Sequence, residues 1–172
     1  MNKLNQGYYK IWKNDFYTIE ANIVRSLWDD EFIKSFENSL NKIILEIFEN
    51  SKNILIENNI LISLLFTGDK KVAELNNYYR KIHKSTNVLS FPSKEINNSN
   101  EMFLGDIVFS SQTIIKEAKR DNKNLEDHLT HLFIHGVLHL LGYDHEKEHD
   151  AHIMESLEIR ILKNLKIDNP YN

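Results

Sequence analysis

Residues 135–145 read HGVLHLLGYDH, and this stretch limits the possible folds more than any other. On an α-helix, His135 and His139 stand one turn apart and about 40° apart around the axis, on one face. The surrounding Leu129, Leu132, Phe133, Val137, Leu138 and Leu140 leave almost no polar side, so the helix must be buried. Gly142 follows three residues after His139 and can take the left-handed conformation that ends a helix. Tyr143 and Asp144 then carry His145 back toward the other two rings. Three imidazoles at this spacing fit one metal ion, held at the end of a buried helix. They leave a fourth tetrahedral position open, as in a catalytic zinc site rather than a structural one. Such an ion polarises a carbonyl or phosphoryl oxygen and lowers the pKa of a bound water to about 7.

Other assignments compete within the same helix. His131 and His135 also form an i, i+4 pair, and His128 shares their face. His135 and His139 are preferred because the turn at Gly142 returns His145 only to the C-terminal end. That leaves His131 and His128 as substrate-side candidates, as partners that orient a ligand, or as plain hydrogen-bonded helix residues. The general base is left between a metal-bound hydroxide and His131. Asp144 either orients an imidazole or stabilises the turn. His149 and His152 read as exposed. The spacing matches the zinc-peptidase pattern H-E-x-x-H-x-x-G-x-x-H, except that Gly136 stands where that chemistry needs a glutamate. A mid-helix glycine costs about 1 kcal/mol relative to alanine. Its expected purpose is room for a substrate bulkier than a peptide carbonyl.

The rest of the chain constrains the class. Its 172 residues suit a single domain. No cysteine is present, which removes thiolate metal sites and fits a reducing compartment. The formal net charge of -4 argues against a broadly basic nucleic-acid binder, so any phosphate contact must come from a local patch. Few such contacts imply that any nucleic-acid binding is weakened only modestly by salt. The N-terminus lacks a signal-peptide pattern, and the longest apolar run, ILISLLF, is too short to cross a bilayer. The expectation is a soluble cytoplasmic protein.

Periodicity places strands near 17–28, 59–68, 86–92 and 104–110, with a mobile loop at 93–101. Helices are expected at 29–50, after Gly68 with Asp69 as its cap, and from Ser110 or Ser111 to about Asp121. Two more follow, one capped by Asn124 and one over 150–165. On the helix after Gly68 the apolar face would be Val72, Leu75, one of Tyr78 and Tyr79, and Ile82. On the last it would be Ile153, Leu157, Ile161 and Leu165. The implied fold is α+β: a single mixed sheet of about four strands packed with helices. Residues 1–16 read as an N-terminal extension.

The segment LNNYYRKIHKSTNVLSFP concentrates Arg80, Lys81, His83 and Lys84 in an acidic chain. Cations in a last helical turn suit the helix dipole, which accounts for Lys81 and Lys84. Arg80, next to two tyrosines, is the cation expected to face the site, because a guanidinium can fork onto a phosphate. Lys84 is a weaker candidate for substrate contact.

Taken with LGDIVFS and HGVLHLLGYDH, this segment makes residues from about 56 to 165 closely resemble the YbeY family of bacterial endoribonucleases. The resemblance implies that His135, His139 and His145 are zinc ligands and that Arg80 is functionally important. It also implies action on single-stranded regions of ribosomal RNA, with the ribosomal subunit or assembly factors as partners and no role for DNA or membranes. Nickel or another divalent metal remains possible at an imidazole site. The competing readings are a metallopeptidase and a non-catalytic assembly factor whose metal only ties the helix end to the turn.

Overall fold

The computed structural model describes residues 7–51, 59–96 and 101–172. Along them run β1 (Gly7–Lys13), β2 (Tyr17–Val24), α1 (Asp30–Asn50), β3 (Ile60–Thr67), α2 (Asp69–Arg80), β4 (Val88–Ile96) and β5 (Met102–Ser110). Three helices follow: α3 (Ser111–Arg120), α4 (Leu125–Leu140) and α5 (Glu148–Asn164). The α+β class is as expected, and the sheet is mixed. It has five strands among the described residues, in the order β1-β2-β3-β5-β4, rather than four. The inner three are parallel, and β1 and β4 run antiparallel at the two edges.

The added strand is β1, within the stretch read as an extension. Its alternation is scrambled: Lys10 sits in the same row as Tyr8 and the buried Trp12, while Ile11 faces out and is 54% exposed. The Lys10 ammonium is held there by Glu37 of α1 at 2.5 Å. The expected loop at 93–101 is also shorter. β4 runs on to Ile96 and β5 begins at Met102; residues 97–100 lie outside the described part.

The period-2 alternation of β3 and β5 divides the apolar side chains between two faces. Ile62, Leu64, Phe66, Ile107 and Phe109 meet Phe36 and Ile43 of α1, Phe133 and Val137 of α4, and Ile161 of α5 in the main core. Phe66 stacks on Phe109 at 5.1 Å between ring centres, and Phe36 stands edge-on to both Phe66 and Phe133. On the other face Val108 and Leu89 pack with Val72 of α2. Helix α4 is thus covered by the sheet on one side and by α1, α3 and α5 on others, which is why its sequence is apolar nearly all round.

Two helix faces differ from expectation. On α2, Val72 and Asn76 are buried, whereas Tyr78, Tyr79 and Ile82 are exposed. Asn76 is kept inside by its amide, which donates to the Lys84 carbonyl at 2.7 Å. On α5 the buried row is Met154, Leu157, Glu158, Ile161 and Leu162, and Ile153 is exposed.

Asp69 does not cap α2; Gly68 occupies that position. Its carboxylate instead accepts from the hydroxyls of Ser85 (3.1 Å), Thr113 (2.6 Å) and Ser110. Burial alone would raise its pKa, but these donors hold the carboxyl below its ordinary value. One side chain therefore ties α2, the end of β5, the start of α3 and the approach to β4. Replacing Asp69 by Ala leaves those hydroxyls without their shared acceptor. It should cost about 1–3 kcal/mol, read as a lower urea midpoint.

Candidate metal centre

The site sits at the C-terminal end of α4, a helix fixed at both ends. Asn124 caps the first turn, its Oδ1 accepting from the N–H groups of Glu126 (2.8 Å) and Asp127 (3.2 Å). At the other end Gly142 adopts φ +93°, a backbone that favours glycine. Its N–H donates to the His139 carbonyl at 2.9 Å, and the Tyr143 N–H to the Leu138 carbonyl at 3.0 Å. This crossed pair is the Schellman ending, and it turns the chain back on the helix as the sequence required. Asp144 serves the turn, its Oδ1 accepting from the His145 N–H at 2.7 Å.

The turn brings His145 to His135 and His139, with one nitrogen from each ring within 4.8 Å of the others. The outer contacts of two rings settle which nitrogens face inward. His139 Nδ1 lies 3.0 Å from the Tyr143 carbonyl oxygen, which can only accept, so Nδ1 carries the hydrogen. His135 Nδ1 lies 2.8 Å from Glu158 Oε1. Burial of Glu158 works against its charge. Hydrogen bonds from His131, His135 and Tyr171 overcome that and bring its pKa from 4.5 to about 2, so this oxygen too is an acceptor. In the neutral rings both Nε2 atoms then present lone pairs. They face each other across 3.1 Å, a repulsive arrangement unless a proton or a cation lies between them. Burial first, then the neighbouring His135 and His145, lowers the His139 pKa and favours the neutral, ligating form. The donor set fits a divalent metal on these grounds.

The histidines open onto a cleft of about 650 Å³ at the β4 edge of the sheet. Tyr79 and Arg80 from the end of α2 line one side, Val88 to Pro92 of β4 the floor, and Gly142 to Glu146 the other side. Arg80 thus lines the same cleft as the three rings. Lys84 is exposed and does not line the cleft; its carbonyl is engaged by Asn76 as the chain leaves α2. Nor does His131 line it. Its Nε2 donates to Glu158 Oε2 at 2.8 Å, and the ring lies beside Tyr171 from the C-terminal segment. His128 is buried on Glu117 at 2.9 Å, while His149 and His152 are exposed.

Gly136 is a correction. A Cβ there would point into the sheet, 3.0 and 3.1 Å from Ile107 carbons and 3.2 Å from Ser90 Oγ. The glycine lets α4 lie close on β4 and β5; it does not make room for substrate.

Glu158 was not found from the sequence. It is fully buried, reaches His135 directly, and is itself held by His131 and by the Tyr171 hydroxyl at 2.5 Å. A carboxylate bonded to the outer nitrogen of a ligand imidazole fixes that ring's tautomer and orientation. The available signal was its position: Glu158 sits in the inward row of α5 next to Leu157, where a charged residue needs partners.

Comparison with known proteins bears on the same residues. The family model described as Endoribonuclease YbeY matches residues 27–166. The chain belongs to the YbeY family. Relatives named Endoribonuclease YbeY include one from Bartonella quintana (strain Toulouse), 40% identical over 162 residues that cover 90% of this chain and 96% of the relative. That from Bartonella henselae is 42% identical with the same coverages, and that from Ruthia magnifica is 38% identical over 87% and 99%. Among solved structures, the solution structure of TM1509 from Thermotoga maritima aligns with a TM-score of 0.48 and 20% identity. The alignment covers 80% of this chain and 86% of that one. The YbeY family match spans α1 to α5 and takes in Arg80, Glu158 and all three clustered histidines.

Two expectations follow. Replacing Gly136 by Val should lower stability by about 1–3 kcal/mol through overpacking against Ile107, measured by urea unfolding. The Glu158 carboxyl is more acidic folded than unfolded, so its stabilisation is present above about pH 4.5 and drains away as pH falls toward 2. Urea midpoints of metal-free protein should fall more steeply over that window than those of Glu158→Gln.

Proposed function

We propose that this chain is a metal-dependent endoribonuclease that cuts single-stranded regions of ribosomal RNA during maturation or ribosome assembly, in the cytoplasm. His135, His139 and His145 hold one divalent cation, with zinc as the expected metal for three imidazoles. The observation that carries the reading is the pair of facing Nε2 lone pairs 3.1 Å apart, opening onto a cleft that Arg80 also lines. Membership of a family named for endoribonuclease activity supports RNA as the substrate. Among the described residues no helix is long and apolar enough to cross a membrane.

A divalent cation in such a site supplies Lewis acidity toward a phosphoryl oxygen. The chain's own residues do the rest. His135 and His139 are aimed inward because Glu158 and the Tyr143 carbonyl accept from their outer nitrogens. Arg80 forks onto the scissile phosphate and offsets the negative charge that grows as the phosphorus is attacked. His131, first read as a general base, instead positions Glu158 and through it His135. The peptidase alternative lacks its base: glycine stands at position 136, and a side chain there would press on the Ile107 and Ser90 side chains.

Purified protein incubated with ribosomal RNA should cleave it, and a chelator should stop cleavage while the fold survives. His139→Ala should contain no stoichiometric metal by elemental analysis and should not cleave. Arg80→Ala should lose about 100-fold in kcat, with Arg80→Lys restoring only part because an ammonium cannot fork. Cleavage undiminished in His139→Ala would sink the assignment. If chelation melts the protein instead, the metal is structural.

A further inference from the structure

We propose that Tyr78 and Tyr79, continued by Phe91, form a stacking platform for the unpaired bases of an RNA strand entering the cleft. This inference rests on the endoribonuclease reading of the site.

Three aromatic rings run outward from the cleft. Phe91 belongs to β4 and lines the floor. Tyr79 leans on it, with ring centres 4.7 Å apart and planes at 53°. Tyr78 stands edge-on to Tyr79 at 4.8 Å. The outer two rings are 60% and 71% exposed, although both sit where helical spacing would let a residue pack inward. α2 buries Val72 and Asn76 instead and leaves the tyrosines on the rim.

The rim also carries positive charge in a chain of net charge -4. Arg80 shares the cleft lining with Tyr79. Lys81 ends α2 in a left-handed conformation at φ 59°, and its ammonium lies 5.8 Å from the centre of the Tyr78 ring. Lys84 follows, exposed but outside the cleft lining. Aromatic faces alternating with cations are what a single strand needs: each base offers a π face, and each phosphate a charge. The bases of a duplex are already stacked on one another and cannot use such a surface. The platform therefore selects unpaired RNA without reading its sequence, and it delivers the backbone to Arg80 and the three histidines.

The test uses the full chain with its metal and a 12-nucleotide single-stranded RNA carrying 2-aminopurine, beside an abasic strand of equal length. Binding is followed by 2-aminopurine quenching and by fluorescence anisotropy. Tyr78→Ala and Tyr79→Ala should each weaken binding of the base-bearing strand at least about fivefold and lose quenching. Tyr→Phe at either position should keep both, and metal content should not change. The abasic strand should bind wild type and the Ala variants alike. Equal affinity of wild type and Ala variants for the base-bearing strand overturns the platform, as does failure of wild type to bind single-stranded RNA. A platform that docks a protein would give the first of these results. Should Tyr79→Ala unfold, Tyr78→Ala decides alone, since its ring is the more exposed. Quenching without any cleavage would sink the nuclease reading and leave the platform standing; cleavage with unaltered binding in the Ala variants would do the reverse.

Discussion

Two hydrogen bonds on the outside of the histidine cluster govern everything inside it. A backbone carbonyl at Tyr143 and the buried carboxylate of Glu158 can only accept, so each takes the Nδ1 proton of a histidine. The two Nε2 lone pairs are left pointing at each other. The fold supplies both acceptors from parts of the chain that have other duties: one from the turn that ends α4, the other from the inward row of α5. The site is therefore strained toward accepting a cation by the ordinary packing of the helices around it.

How much of this could be read from the sequence follows the range of each interaction. The His135–His139 pair, the Gly142 turn and the return of His145 are local, set by helical geometry and one backbone conformation, and the structure has them as read. The place of Arg80 at the cleft follows from its standing at a helix end ahead of a strand. Glu158 was not, because it reaches the cluster from another helix, and no spacing rule links it to His135. The same limit applies to His131 and Lys84: no spacing rule shows that the first is held by Glu158 of α5, or that the second falls outside the cleft lining.

The fold was legible wherever one face of an element is clearly apolar. α1 is of that kind, and α4, β3 and β5, apolar on more than one side, were as readable. β1 failed because a lysine occupies its inward row and finds compensation in Glu37, a partner 27 residues on that no alternation pattern reveals. The tyrosines of α2 misled for the opposite reason. They are apolar enough to suggest burial, yet the helix turns a polar Asn76 inward and leaves the rings at the surface.

The tight seat of α4 on the sheet at Gly136 has an evolutionary corollary. Three histidines and a turn glycine are shared with peptide-cleaving metal sites, so the two chemistries look one codon apart. They are not, because a glutamate at that position would run into Ile107 and Ser90 before it met any scissile bond. Conversion would first demand that those two side chains give way, at a seat where even a Cβ is tight.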